Sequence, residues 1–227
     1  MDKLVSIVVP IYGVEKYIAQ CARSLFEQIY DNIQYIFVND CTKDNSIILL
    51  KEIIELYPNR KSQVLIIEKE KNEGLPLARK TGMQYVKGEY VMLLDSDDWV
   101  ETTMVEQMLN AIVAENTDVV YCDYYRNSDT QTPINCIELS NTKEYIKNMF
   151  LLRAPAQTWN KIYRTELFDD VEFPLKSMHE DLYINIQVMS YAKSVSHLRK
   201  NFYHYRNNPN SITHNYPLEQ TIENLRL

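Results

Sequence analysis

Residues Tyr90-Val91-Met92-Leu93-Leu94 form an apolar run that stops abruptly at Asp95-Ser96-Asp97-Asp98, and no other stretch constrains the fold as strongly. A short, continuously apolar run fits a strand covered on both faces better than a helix. The acids then stand at the strand's carboxyl end, the edge of an open α/β sheet that faces the ligand crevice. Three carboxylates crowded there repel one another, and a cation relieves the repulsion when a ligand brings phosphate oxygens as further donors. Asp and Ser are also good loop and N-cap residues, so the tetrapeptide alone leaves a metal site and a helix cap both open.

The rest of the chain supplies the sheet. Leu4 to Tyr12 is rich in β-branched residues and stops at Gly13, which predicts a first strand, and strands are predicted again over Ile33 to Val38, Val64 to Ile67 and Val119 to Cys122. Helical spacing is predicted between them: Tyr17 to Ile29, Asp44 to Tyr57 with Pro58 after its end, Leu75 to Val86, and Thr102 to Glu115. This alternation predicts an α/β fold, a mostly parallel central sheet flanked by helices. Past Tyr124 the rhythm fails. Asn127 to Asn141 is polar and turn-rich, helices are predicted over Thr142 to Leu151 and Glu180 to Tyr191, and short strands at Lys161 to Tyr163, Ser194 to Leu198 and Asn201 to Tyr205. The expected organisation is an α/β half over residues 1–124 and an α+β extension over 125–227 packed on the same sheet. Leu218 to Leu227 begins a further helical pattern.

Composition removes several function classes. With 24 basic and 31 acidic residues the net charge is −7, which argues against nucleic-acid binding. The charge divides unevenly, −9 over residues 1–142 and +2 over 143–227, so the second part suits a phosphate or an anionic membrane surface better. No apolar segment approaches the ~20 residues that span a bilayer, and the N-terminus lacks signal-peptide order, so a cytoplasmic location is expected. The four cysteines, Cys21, Cys41, Cys122 and Cys136, lack zinc-site spacing and read as reduced structural thiols. Only four glycines are present, and none forms a dinucleotide fingerprint or a phosphate loop.

An ordered set of motifs resembles the inverting family 2 glycosyltransferases with the GT-A fold. The set comprises Val5 to Tyr12 with Glu15, Val38-Asn39-Asp40, Asn72 to Arg79, Asp95-Ser96-Asp97-Asp98, Trp159-Asn160-Lys161, Glu180-Asp181, and Tyr205-Arg206 followed by Ser211-Ile212-Thr213. The resemblance covers nearly the whole chain. It departs from the family's usual residues at Gly13, at Cys41-Thr42 and at Lys80.

The resemblance implies a nucleoside diphosphate sugar donor, most simply a UDP-sugar. Pro10, Tyr12, Glu15 and Asp40 would line the nucleoside pocket with Arg79 nearby, Asp40 accepting from a base N–H. Asp97 would ligate Mg2+ or Mn2+ together with the diphosphate, and Asp95 would contact the ribose or support the metal. Asp181 would be the base that takes the acceptor hydroxyl's proton; a helix-terminal acid satisfied by the macrodipole is the plainer reading of that position. Asp98 reads as a metal ligand, a sugar acceptor or a cap, Trp159 as a sugar platform or a core residue, and Lys161, His204 and Arg206 as diphosphate-side or ordinary residues. The implied acceptor is a carbohydrate or lipid-linked saccharide of a surface polysaccharide, met at the inner face of a membrane. Two rivals remain: a sugar-nucleotide pyrophosphorylase, which wants a basic Gly-rich loop after the first strand, and a non-catalytic binding protein, which needs neither Asp97 nor Asp181.

Overall fold

The computed structural model describes residues 3–175 and 179–208; Ser211-Ile212-Thr213 and the pattern from Leu218 lie outside them. The first half is built as the residue pattern predicts. Strands β1 (Val5–Ile11), β2 (Ile33–Asn39), β3 (Val64–Glu68) and β4 (Tyr90–Leu93) pair in parallel in the order β3-β2-β1-β4. Helices α1 (Ile18–Phe26), α2 (Ser46–Glu55) and α4 (Leu75–Met83) make the crossovers. Pro58 opens a one-turn helix, α3 (Pro58–Lys61), rather than simply following α2, because the first helical position requires no N–H. Ile29 lies beyond α1 and is largely exposed instead of joining its apolar face.

The two faces of the sheet alternate residue by residue. Val5, Ile7, Val9 and Ile11 join a core with Ile18, Leu25, Leu50, Met104 and Ile112, whereas Val8, Ile36, Val38, Val91 and Leu93 face Ala78, Tyr145, Met149, Ile184 and Val188. Helices α1, α2 and α5 (Met104–Ala114) thus cover one face, and α4, α6 (Thr142–Phe150) and α7 (Glu180–Tyr191) the other. Gly82 explains how α4 lies so close: a Cβ there would stand 2.4 Å from a Val8 methyl carbon. That closeness carries Arg79, one turn earlier, into the interior, where it has no exposed surface.

Beyond β4 the sheet becomes mixed and follows the order β8-β6-β9-β5, giving nine strands among the described residues with β7 (Gln131–Ile134) beside β6 (Val119–Asn127). β8 (Lys161–Arg164) runs antiparallel to both β4 and β6. Its beginning therefore meets the carboxyl end of β4, and Thr158, just ahead of it, reaches the crevice. The two expected pieces at Ser194 and Asn201 are one strand, β9 (Val195–Arg206), parallel to β6 with a register shift near Asp123. β5 (Trp99–Val100) pairs with β9 so that Trp99 stands opposite His204. Of the expected α7 face, Met189 is buried in the core and Leu182 and Ile186 are half-buried against it, while Glu180, Ile184 and Val188 complete the buried stripe at a spacing of four residues.

Candidate active site

The carboxyl ends of β1, β2 and β4 form one edge, and the β1 end, Asp40 and Asp95 to Asp98 lie along it. The N-terminus of α7 closes the opposite side. Arg79 joins the two sides: one guanidinium nitrogen lies 2.6 Å from Asp95 Oδ1, and the other contacts Asp181 Oδ1 at 2.9 Å and Glu180 Oε1. Burial works against the Arg79 charge, but these three carboxylates hold it protonated with a pKa well above the ordinary arginine value. Burial also pushes the Asp95 carboxyl up to about 6; Arg79 opposes the shift, and Asp181 and Asp97 reinforce it.

Carboxylate oxygens sort the acids into two groups. Asp181 Oδ1 accepts from Arg79, from the Thr158 N–H at 3.2 Å and from the Thr158 hydroxyl at 2.8 Å. Asp95 uses Oδ1 for Arg79, and Asp97 uses Oδ2 for the Asn208 amide at 3.2 Å. Each of the three keeps a second oxygen uncommitted among the described residues, and each is only partly buried. One oxygen fixes the side chain while the other stays available to a ligand.

Asp98 and Asp40 belong to the second group. Asp98 is buried; its Oδ2 accepts from the Tyr203 hydroxyl and its Oδ1 from the Arg206 N–H, both at 2.7 Å. Burial raises its pKa well above the carboxylate range. Its readings as a metal ligand or sugar acceptor give way to a structural one, since it ties β9 to the acidic turn. Asp40 is likewise buried, accepts from the Glu73 and Gly74 N–H groups and is ion-paired with Lys69 at 2.8 Å. Both oxygens are engaged in these contacts, so Asp40 holds the 72–74 turn. Gly74, at φ 88 and ψ 165, occupies a conformation nearly reserved for glycine, and this lets the turn close on Asp40.

Packing engages four other candidates. Trp159 is core: it stacks on Tyr203 at 4.2 Å between centroids and meets Tyr124 edge-on, with no open face for a sugar. Lys161 is fully buried and donates to the Pro155 and Gln157 carbonyls and to Asn160 Oδ1. Burial lowers its pKa to about 8, and it fastens the strand start instead of meeting phosphate. His204 is stacked between Trp99 and Tyr125, with Nε2 2.8 Å from Glu101. Arg206 lies over the Tyr17 and Trp99 rings and donates to the Asp97 carbonyl and to Gln20, bracing the acidic turn from behind. Tyr12 is half exposed at the end of β1, Pro10 is buried within that strand, and Glu15 accepts from Asn45. Thr158, Tyr203 and Lys69 carry no motif of their own. Only their contacts reveal that they hold Asp181, Asp98 and Asp40.

The donor set suits a hard divalent cation. Among the described residues no group of three His, Cys, Asp or Glu side chains forms a metal cage. One or two carboxylates with open oxygens, completed by phosphate oxygens of a substrate, are how Mg2+ is commonly held, and Asp97 offers that oxygen.

The chain matches the family described as Glycosyl transferase family 2 over residues 6–172. It is 33% identical to the putative glycosyltransferase EpsH of Bacillus subtilis over 93% of this chain and 63% of that one. It is 30% identical to glycosyltransferase GlyA of Streptococcus pneumoniae over 94% of this chain and 32% of that one. Residues 1–349 of S. aureus TarS, solved with UDP, superpose with a TM-score of 0.74 and 25% identity over 90% of this chain and 61% of that chain. The chain therefore spans between a third and two thirds of the length of these curated relatives.

Proposed function

The chain belongs to glycosyl transferase family 2, and from that premise we propose that it moves a sugar from a nucleoside diphosphate donor, most simply a UDP-sugar, to a carbohydrate hydroxyl with inversion at the anomeric carbon. The observation that carries this reading is the pairing of open carboxylate oxygens on both sides of one crevice: Asp95 and Asp97 at the end of β4, Asp181 at the start of α7, bridged by Arg79.

The roles follow from charge and position. Pro10, Tyr12 and Glu15 border the nucleoside, and Asp40 orders the 72–74 turn beside it. Asp95 orients the donor's ribose through its free oxygen. Mn2+ or Mg2+, held by Asp97 and the diphosphate oxygens, would supply neutralisation of the charge that develops on the departing nucleoside diphosphate. Asp181 Oδ2 takes the proton of the attacking hydroxyl while Arg79 and Thr158 fix its Oδ1, so that the base approaches the face opposite the leaving group. A base so held loses little orientational freedom before reaction. The acceptor is read as a growing surface polysaccharide or lipid-linked saccharide at the cytoplasmic face of a membrane; among the described residues no helix is long and apolar enough to cross one.

Two measurements test the reading. UDP affinity by calorimetry with and without Mn2+ is expected to rise with the ion, and UDP release from a panel of UDP-sugars is expected for one or a few of them. Ion-independent binding with no release from any donor would refute it.

A further inference from the structure

Arg79 carries one positive charge into contact with three carboxylates, so the acids cannot all be ionised and neutralised. They differ in exposure: the side chains of Asp95 and Asp181 are 24% and 29% exposed, that of Glu180 is 4%. Glu180 Oε1 accepts from Arg79, but Oε2 is buried and has no hydrogen-bond partner. An ionised oxygen without a donor in a dry site is strongly disfavoured, while the two more exposed acids keep water or ligand as partners.

We propose that Glu180 works as a neutral carboxylic acid which, by accepting from Arg79 without adding charge, leaves the guanidinium to Asp95 and Asp181 and so acts as a positioning residue for the base. With Glu180 neutral the cluster carries −1 instead of −2. The charged groups facing it are Arg79 from α4, Asp95 from the end of β4 and Asp181 on its own helix, with the Tyr163 hydroxyl of β8 close to Asp181. Burial, the largest influence, pushes its pKa up to about 8 against the pull of Arg79, in keeping with a proton retained at neutral pH. Above that pH the new negative charge would compete for Arg79 and loosen Asp181. The inference rests on Asp181 being the base only for its catalytic consequence; the proton on Glu180 is a separate matter.

The experiment compares the wild type, Glu180→Ala and Glu180→Gln. UDP release from the best donor of the panel is expected to fall in Glu180→Ala, which leaves one guanidinium nitrogen without this acceptor. Glu180→Gln, which retains an uncharged acceptor, should restore much of kcat and abolish the wild type's alkaline decline near pH 8. Melting temperature gives a readout independent of turnover. A folded-state pKa raised above the unfolded 4.5 contributes stability that is complete below 4.5 and is lost as pH rises through about 8. The wild type should therefore lose melting temperature between pH 5 and 8 more steeply than Glu180→Gln. Should the variants fold poorly, infrared spectroscopy of wild-type protein labelled with ¹³C at its glutamate side-chain carboxyls, which sets Glu180 apart from the buried Asp98, is expected to show a protonated carboxyl band that vanishes between pH 7 and 9.

Parallel melting profiles in wild type and Glu180→Gln, absence of that band, or a Glu180→Gln rate as low as that of Glu180→Ala would overturn the proposal. Absence of UDP release from the wild type would instead overturn the proposed activity, and the melting profiles would still decide the state of Glu180.

Discussion

The two sides of the crevice reach it by opposite routes. Asp95 and Asp97 follow directly from β4, so five apolar residues and a change to acids place them. Asp181 and Glu180 come from the start of a helix about a hundred residues beyond Arg79 in the chain, and the long Arg79 side chain reaches them from α4. The near side is positioned by a strand, the far side by side-chain contacts from Arg79 and Thr158. The comparison teaches that an acid's role is read from its uncommitted oxygen rather than from its motif: Asp98 sits inside the acidic tetrapeptide yet has both oxygens engaged, whereas the distant Asp181 has one to give.

If the sides divide the work in this way, substitutions should separate binding from chemistry. Asp181→Asn is expected to lower kcat by about 10²–10⁴-fold, the usual contribution of a general base, with UDP affinity in Mn2+ unchanged by calorimetry. An equal loss of affinity would place Asp181 on the donor side. Next in size, Trp159→Ala should cost about 3–5 kcal/mol of stability in urea unfolding, because the indole is packed on Tyr203 and Tyr124. A stable variant with weakened acceptor use would restore the sugar-platform reading.

Asp97→Ala probes the near side and should reduce Mn2+-dependent UDP affinity by about 10–100-fold, the scale seen when a metal site is disturbed, leaving ion-free affinity as it was. The smallest effect is expected at the support of the near side. Tyr203→Phe removes the hydroxyl that donates to Asp98 Oδ2 and accepts from the Asp95 N–H. It should cost about 1–3 kcal/mol of stability, as a buried acceptor is left unsatisfied, with little change in UDP affinity.

The same contrast explains what could be read from the residues alone. The first half is local: β1, β2 and β4 are continuous apolar runs and their crossover helices have a period of about 3.6, which marks them without help from tertiary structure, and the family motifs fall near strand ends. The second half depends on pairings that periodicity cannot register. β5 is two residues long and exists because Trp99 pairs with His204, far away in the chain. β9 reads as two strands because a register shift interrupts its alternation. Lys161 and His204 resemble solvated or phosphate-seeking residues by type; buried carbonyls and stacked rings engage them instead. Asp40 keeps its motif while both its oxygens take up the 72–74 turn, which closes on it through the positive φ of Gly74.

The stereochemistry of transfer tests the central claim most directly, because the proposed roles of Asp97 and Asp181 require inversion at the anomeric carbon. Proton NMR of the glycosidic linkage formed from an α-linked UDP-sugar, a linkage whose anomeric configuration is fixed once made, should show the β configuration. An α product would mean that the hydroxyl attacks from the side the diphosphate leaves, and Asp181 as placed here could not be its base.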